Sequence, residues 1–452
     1  MKSILRYLRK AIPETHPIRI LYYKLTAFMA AVYYWFPADH MTVIGVTGTN
    51  GKTTTVNLIT NILNAAHFKV GMTSTINFQV GDRRWVNDMK QTTLGPFKFQ
   101  RLLREMVDEG CKYAVLEISS HAMVQARTLG LNIDVSVITN VTSDHIEYHG
   151  SFNRYLEAKG DLFKKVSKSP RKFGIPKVLI LNSDDQYYSY FDQYVADRKM
   201  TYGFSKSTLF VTDVQRDPEG SHFVLHVPNN SVPVRLRLPG DFNIYNALAA
   251  AACCLSLQVP LNDVKKGLEE SSTVAGRFEH VDSGQKYSIV VDYGHTPDAL
   301  LKLFSLYRDL TKGKLIVVFG ATGGGRDKAK RPKMGELADK YADYIIVTDD
   351  DPYEEDEWGI IEQVSGGIKR KEGENFWKNP DRKEAIRLAL TLAKEGDTVV
   401  VAGKGCEEVM MVRGKRIKWN DKDIIKELLN REVEVEIYPE HFEKRENVCF
   451  KS

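Results

Sequence analysis

The feature that most constrains this chain is residues 43–55, VIGVTGTNGKTTT. Val43, Ile44 and Val46 read as the end of a buried strand. Gly45, Gly48 and Gly51 make a loop free of obstructing side chains. Lys52 follows, then three threonines and the helical apolar spacing Val56, Leu58, Ile59, Ile62, Leu63. Strand, glycine loop, lysine, hydroxyl and helix is the layout of a phosphate cradle. Backbone N–H groups and the positive end of the helix hold phosphate oxygens, Lys52 neutralises the outer phosphates, and Thr53 can place its hydroxyl on Mg2+. The general spacing G-x-x-x-x-G-K-[ST] asks for a glycine at 46, where this chain has Val46. A glycine-rich turn with a chance lysine is the plainer alternative, and the flanking strand and helix argue against it.

At 452 residues the chain has room for two or three domains, and a hydrophobic fraction of 43% can fill their cores. Lys+Arg 63 against Asp+Glu 58 is near balance, which gives no footprint for nucleic acid. Cys111, Cys253, Cys254, Cys406 and Cys449 show no metal spacing and fit a reducing cytoplasm. Lys2, Arg6, Arg9 and Lys10 precede an apolar segment over 18–36 that Arg19 and Lys24 interrupt. No small-residue cleavage site follows it, so an exported leader is not expected, and the run is marginal as a membrane span. The expectation for residues 1–38 is an apolar, basic helical extension packed on the next domain or on a partner. Peripheral contact with the inner face of the membrane, through a helix ending in Tyr33, Tyr34 and Trp35, is the alternative.

Strand and helix patterns alternate from 41 to about 150, with strands over 42–46, 113–118 and 135–139 and a helix over 96–109. This predicts a mostly parallel sheet with ligands at the carboxyl ends of its strands. The chemistry-bearing residues fall there: the glycine loop, Glu117 to His121, and Asn140 to His149. Glu117 is a sensible Mg2+ ligand, with a surface acid as the bland reading. His145 could ligate metal or cap its loop, and alone the loop reading is favoured. Lys159 taken alone is a solvated helix lysine. Residues 209–238 alternate as antiparallel hairpins, and an alanine-rich helix covers 247–255. After Gly276 a second alternating series begins, with strands over 287–292, 314–319, 344–348 and 398–402. The fold class expected is α/β. A P-loop-type central ATPase domain with a hairpin addition spans 39–274, and a smaller doubly wound domain spans 275–452, with a charged, partly ordered tail beyond 431. Arg326, Asp327, Lys328, Lys330 and Arg331 read as a basic rim beside Gly320–Gly325, and residues 349–357 (DDDPYEEDE) as an acidic loop.

Taken together, these motifs resemble the Mur ligase family, and within it the MurE type, the UDP-N-acetylmuramoyl-tripeptide synthetases. The family's phosphate loop, G-T-N-G-K-T, is matched at Gly48, Thr49, Asn50, Gly51, Lys52 and Thr53, which accounts for Val46. Further matches in family order are Thr92-Thr93, Glu117-x-Ser119-Ser120-His121, Asn140…Asp144-His145, Tyr155…Lys159, Asn243…Asn246, Gly276-Arg277, Asp292-Tyr293-x-His295, Arg326-Asp327 and Gly403-Lys404-Gly405…Glu407. The resemblance implies an ATP-dependent amide ligase. A peptide carboxylate takes the γ-phosphate to form an acyl phosphate, and an amino acid's amine displaces it. It implies that Lys52 holds the β/γ-phosphates, beside Thr54 of the same loop. Thr53 and Glu117 serve one Mg2+, and His145 with a carbamylated Lys159 serves a second. Asn243, Asn246, Arg277, Asp292 and His295 are placed with the nucleotide. Thr92, Thr93, Ser119 and Arg127 are placed with the acceptor, and Arg326, Asp350, Asp351 and Glu407 with the incoming amino acid.

Three departures from the family pattern set the remaining expectations. Only about forty residues precede the loop, too few for the family's domain that binds uridine diphosphate. The diaminopimelate-adding members carry Asp-Asn-Pro-Arg, where this chain has Asp350-Asp351-Pro352-Tyr353. Without that arginine a distal carboxylate lacks its bidentate partner, so L-lysine is expected over meso-diaminopimelate, with Asp351, Glu354 and Glu407 suited to a side-chain ammonium. Cys406 replaces the family's histidine. The expected function is addition of a diamino acid to a muramoyl dipeptide by a monomer. The alternatives are a membrane-associated or polymeric acceptor, and a non-catalytic nucleotide-binding subunit.

Overall fold

The computed structural model describes residues 16–436, apart from 88, 90, 143, 145, 205, 206, 218, 219, 272–275, 325 and 326; side chains are described for neither Glu147 nor 431–436. The chain divides between Val274 and Ala275 into two compact units.

The first unit is built on an eight-stranded sheet. Its strands are β1 (Thr42–Thr47), β2 (Val70–Thr73), β3 (Asn77–Val80), β4 (Arg83–Val86), β5 (Tyr113–Glu117), β6 (Val135–Ile138), β7 (Val178–Asn182) and β8 (Arg198–Tyr202). They lie in the order β4-β3-β2-β5-β1-β6-β7-β8. From β2 to β8 the pairing is parallel, and the β2-β3-β4 edge is antiparallel. All six residues of β1 are buried, the pattern of a parallel strand covered on both faces. Ile44 and Val46 point into a core shared with the helices Lys52–Ala65 and Asp241–Ser256. Val43 points into the other core, with Phe99 and Leu103 of the helix Pro96–Asp108 and Leu162 and Phe163 of Phe152–Lys168. Strand β1 lies between β5 and β6, so the chain crosses it in passing from one to the other. The crevice at the carboxyl end of β1 is therefore a switch point, where α/β sheets bind ligands. A separate three-stranded sheet, β9 (Phe210–Asp217), β10 (Gly220–Val227) and β11 (Asn230–Leu236), is the expected hairpin addition.

The second unit centres on a six-stranded sheet of β12 (Glu279–His280), β13 (Ser288–Asp292), β14 (Leu315–Phe319), β15 (Tyr344–Thr348), β16 (Phe376–Asn379) and β17 (Thr398–Ala402), in the order β12-β13-β17-β14-β15-β16. Only β12 runs antiparallel. Apolar cores fill both faces. A hairpin of β18 (Val409–Val412) and β19 (Lys415–Lys418) follows.

The main strands stand within a residue or two of their expected places. The short strands β2, β3, β4, β8, β16, β18 and β19 were not expected; several are half exposed or polar, so they show no apolar run. The last helix is described over Asp421–Glu436, and the rest of the tail lies outside the described residues. Arg331 corrects the expected basic rim. It is fully buried, with its guanidinium donating to Glu355 Oε2 at 3.1 Å, Gln363 Oε1 at 2.8 Å and the Thr322 carbonyl at 3.3 Å. It braces the loop after β14 and presents no surface charge.

Candidate active site

The phosphate loop is shaped by its glycines. Gly48 and Gly51 have φ of 148° and 84°, which L side chains adopt only with strain. A Cβ on Gly48 would collide with Thr139 Oγ1, and one on Gly51 with Asn246 Oδ1. The loop is pinned from outside: Thr49 N–H donates to the Asn140 carbonyl at 2.8 Å, Asn50 N–H to Asn140 Oδ1 at 3.0 Å, and Thr139 Oγ1 to the Asn50 carbonyl at 2.7 Å. Gly51 caps the helix Lys52–Ala65 with no side-chain hydrogen bond and no acid in the first turn. The helix thus begins with its positive end uncompensated by its own sequence. Lys52 Nζ folds back to the Thr49 carbonyl at 2.8 Å and the Gly48 carbonyl at 3.2 Å. Thr54 is buried in the first turn beside it.

Strand register brings the next groups to the loop. Val46 is opposite Glu117, and Thr47 opposite Ile138, so the ends of β1, β5 and β6 align. Glu117 is buried. Its Oε2 accepts from Thr53 Oγ1 at 2.9 Å and Thr75 N–H at 2.8 Å, and its Oε1 accepts from Thr75 Oγ1 at 2.9 Å. The residues expected to hold the acceptor lie around Glu117 without touching its carboxylate. Thr92 Oγ1 lies 3.0 Å from Thr75 Oγ1, which accepts from it; Thr93 Oγ1 donates to the Glu117 carbonyl at 3.1 Å, Ser119 N–H to Thr93 Oγ1 at 3.2 Å, and Arg127 to the Thr93 carbonyl. On the other side, Thr55 Oγ1 donates to Asn246 Oδ1 at 3.3 Å, and Asn246 Nδ2 to Asn243 Oδ1 at 3.2 Å.

Lys159 is not the solvated lysine that its helical pattern alone implies. It is 1% exposed, with Nζ donating to the Gly48 carbonyl at 2.6 Å and lying 4.4 Å from the centre of the Tyr155 ring. Burial, and then the charge of Lys52, hold its amine well below the usual lysine range, against a smaller pull from Asp144. Tyr155 in turn meets Thr49 Oγ1 at 2.9 Å. His149, buried beside Tyr155, shares a 3.0 Å hydrogen bond with Ser120 Oγ; burial and then Lys159 lower it to about 4. His145 lies outside the described residues. Among the described residues no group of three or more His, Cys, Asp or Glu forms a metal cluster.

The second unit concentrates its charged groups at the carboxyl ends of β13, β15 and β17. Asp292 accepts Phe278 N–H at 3.0 Å and Gly294 N–H at 2.6 Å, which fixes the turn carrying Arg277. The Arg277 guanidinium lies 4.8 Å from the Tyr293 ring centre, and its buried Nε has no hydrogen-bond partner. His295 Nδ1 is 2.8 Å from the Tyr293 carbonyl. Lys404 is fully buried and donates to Asp351 Oδ1 at 2.9 Å, Glu407 Oε2 at 2.5 Å and the Val409 carbonyl at 2.9 Å, with Asp350 Oδ1 at 4.0 Å. Asp351 and Glu407, expected around a substrate ammonium, are thus gathered on an ammonium of the chain itself. Arg326 lies outside the described residues. Burial pushes the Cys406 thiol up to about 11, which leaves it protonated and a poor nucleophile near neutral pH.

Thr75, His149, Lys404 and Arg382 have evident parts in this geometry that the sequence reading did not assign. Thr75 sits in a polar loop and His149 ends the one-turn helix Ile146–His149, neither with a distinguishing signal. Lys404 stood in a glycine-flanked motif at a strand end, a signal that was available. Arg382 is fully buried, bonded to Asp421 at 2.8 and 2.7 Å and to the carbonyls of Asp349 and Ala402.

The glycine cradle, the open helix end and Lys52 fit a nucleotide's phosphates, and the Thr53–Glu117 pair offers the hard oxygen donors that Mg2+ takes. The first unit is therefore that of a phosphate-binding α/β enzyme. Profiles of known families then match in two stretches: the Mur ligase middle domain over residues 46–254, and the Mur ligase glutamate ligase domain over 276–405. The chain is 40% identical over 401 residues to the UDP-N-acetylmuramoyl-L-alanyl-D-glutamate--2,6-diaminopimelate ligase of Geobacillus kaustophilus, covering 88% of this chain and 81% of that one. It is 38% identical over 404 residues to the UDP-N-acetylmuramyl-tripeptide synthetase of Roseiflexus sp., covering 87% and 79%. A solved structure of a UDP-N-acetylmuramoyl-L-alanyl-D-glutamate--2,6-diaminopimelate ligase superposes with a TM-score of 0.61 at 30% identity, covering 87% of this chain and 79% of that one. The chain belongs to the Mur ligase family, with MurE-type relatives. It is an ATP-dependent amide ligase, and the non-catalytic alternative is set aside.

Proposed function

We propose that the protein joins a diamino acid to the D-glutamyl carboxylate of a UDP-linked muramoyl-L-Ala-D-Glu acceptor in peptidoglycan precursor synthesis. The carrying observation is the knot around Glu117: its buried carboxylate accepts from Thr53 of the phosphate loop, Thr92 is linked to it through Thr75, Thr93 bonds its backbone carbonyl, and Ser119 and Arg127 bond Thr93. In this reading Lys52 and the helix end bind the γ-phosphate, while Thr92, Thr93, Ser119 and Arg127 bring the acceptor carboxylate in line with it. The carboxylate oxygen attacks phosphorus, the bond to the β-phosphate oxygen breaks, and ADP leaves. The amine then attacks the acyl carbon and inorganic phosphate departs with the bonding pair. Thr53 and Glu117 would hold one Mg2+, and His145 with Lys159 a second. Bound metal supplies charge neutralisation on the phosphate oxygens. Lys159 fits that role as a carbamate, because an amine reacts with CO2 to give an anionic oxygen ligand and a proton. Arg277, with its unpartnered Nε, and Asp292, Asn243, Asn246 and His295 are assigned to the nucleotide. Arg326, Asp350, Asp351 and Glu407 are assigned to the amino acid.

L-lysine is the proposed amino acid. Tyr353 stands where the diaminopimelate pattern has arginine, so no guanidinium is offered there to a distal carboxylate. Phosphate release with UDP-MurNAc-L-Ala-D-Glu and a panel of amino acids tests the reading. Turnover with L-lysine well above that with meso-diaminopimelate is expected. A preference for diaminopimelate overturns the lysine assignment, and turnover with none of the panel overturns the acceptor. The second reading, a membrane-associated peptide acceptor, is favoured by the exposed apolar face of the helix Pro17–Tyr33. Full activity on the soluble acceptor after removal of residues 1–38 would count against it.

A further inference from the structure

The helix Pro17–Tyr33 is turned the wrong way round for a helix that merely completes a core. Its small residues Ala27, Ala30 and Ala31 are buried against the first unit, with Ala31 against Gly130 and the helix packed along Pro96–Asp108. Its large residues face away. Ile18, Leu21, Leu25, Phe28, Met29 and Val32 are each between 48% and 65% exposed. At the helical repeat these six fall in a stripe roughly 100° wide, opposite the alanines. Lys24 lies about 40° outside the stripe on one side, and Arg19, whose Nε donates to Tyr23 Oη at 2.7 Å, lies about 80° outside it on the other. Trp35, 80% exposed, stands at its end beside Tyr33. A continuous uncovered apolar stripe of this kind marks an interaction surface.

Charge decides what covers it. Residues 1–38 hold six Lys and Arg against the single acid Glu14, a net +5 that equals the net +5 of the whole chain. The remaining residues are neutral overall, so the excess belongs to this N-terminal segment of the sequence. The helix itself has no Asp or Glu. A second copy docked on it would bring only like charge to Arg19 and Lys24. An anionic lipid surface is complementary to the whole face: acyl chains meet the stripe, headgroups the basic segment, and the interfacial region Trp35 and Tyr33. Among the described residues no helix is long and apolar enough to cross a membrane, so the geometry is that of a helix lying in the surface.

We propose that the helix Pro17–Tyr33 seats the protein on an anionic membrane surface, with the alanine side toward the domain and the Leu21–Leu25–Phe28 side in the lipid. This does not rest on the amino acid or acceptor assigned above.

The test is co-sedimentation of the full chain with vesicles of phosphatidylglycerol mixed into phosphatidylcholine, and with phosphatidylcholine alone. Binding is expected to the anionic vesicles, weakening steeply at about 1 M salt. The triple variant Leu21→Ser, Leu25→Ser, Phe28→Ser is expected to lose binding by about tenfold or more, since several buried apolar groups are removed. Arg19→Gln with Lys24→Gln should lose about tenfold on anionic vesicles and little on neutral ones. Both variants change exposed or half-exposed side chains, and unaltered thermal melting verifies that they fold. A blue shift of fluorescence on vesicles, absent in Trp35→Phe, places the stripe's end in the interface. Equal binding to neutral vesicles, or retained binding by the triple variant, overturns the proposal. So does a lipid-free dimer that the triple variant disperses, which would make the face a contact between copies.

Discussion

Lys159 in the first unit and Lys404 in the second are both fully buried, yet their surroundings treat the same side chain in opposite ways. Lys404 has two carboxylates within hydrogen-bonding distance and a third at 4.0 Å. Burial alone would discharge it, but Asp350, Glu407 and Asp351 outweigh burial and keep its pKa above the ordinary value. Lys159 has a carbonyl, an aromatic face and the repulsion of Lys52, with Asp144 a lesser influence, and its pKa falls. Burial therefore does not settle what a lysine does; the sign of the neighbouring charges does. Lys404 is a cation that closes an acidic cluster. Lys159 is a buried amine beside the glycine loop, the one proposed above to take up CO2.

The sharpest way to break this contrast is at the source of the repulsion. Lys52→Ala removes the positive charge proposed to face the γ-phosphate, and kcat for ATP-dependent ligation should fall by about 10⁴-fold, the scale of losing a phosphate-clamping cation. A rate near that of the parent protein would show that the loop is misassigned. The next effect belongs to Lys404. Lys404→Met leaves the buried Asp351 and the half-buried Glu407 without their cation, a change that costs about 3–5 kcal/mol. Loss of hydrogen-exchange protection in β14, β15 and β17 would register it in the second unit alone. Unaltered protection there would mean that the acids are paired elsewhere.

These two lysines also show how far the sequence could be read. The glycine loop was legible because its chemistry is local: strand, loop and helix are contiguous, and the apolar periods flank them. Glu117 was legible as an acid at a strand end. The burial of Lys159 was not, because nothing in its own helix distinguishes it from Lys164 or Lys165. Its position depends on the register that sets Phe152–Lys168 against the loop from more than a hundred residues away. Arg331 failed for the same reason. It read as a surface charge within a basic run, and only the packing of Glu355 and Gln363 against it makes it internal. Edge strands such as β4 and β19 are exposed and polar, so they carry no alternation to detect.

A smaller effect tests the acidic cluster from its other side. Burial, then Asp350 and Glu357, raise Asp349 to about 7. The native state therefore holds a proton that the unfolded chain releases near pH 4, and the contribution of this group to stability is lost as pH rises from about 4 through about 7. Asp349→Asn keeps an acceptor for the Asp350 N–H, which now reaches Asp349 Oδ1 at 3.1 Å, and removes the titration. Relative to the parent, the variant should gain roughly 2 kcal/mol above pH 7 and nothing below pH 4 in urea denaturation. A gap that does not change with pH would place the proton elsewhere.

The smallest effect is the most informative about Lys159. If its amine is buried without compensating anions, Lys159→Met exchanges a desolvated polar group for an apolar one of similar length. Folding stability should then change by less than about 1 kcal/mol, in contrast to Lys404→Met. Ligation should be lost in the same variant, and added bicarbonate should not restore it, because no amine remains to take up CO2. The two measurements separate the roles. A large loss of stability would make Lys159 a structural cation like Lys404, whereas intact stability with absent turnover assigns its burial to function. In the parent protein, ¹³C-bicarbonate should give a carbamate carbon signal that Lys159→Met lacks. Absence of that signal from fully active protein would exclude the carbamate and leave Lys159 to act as an amine.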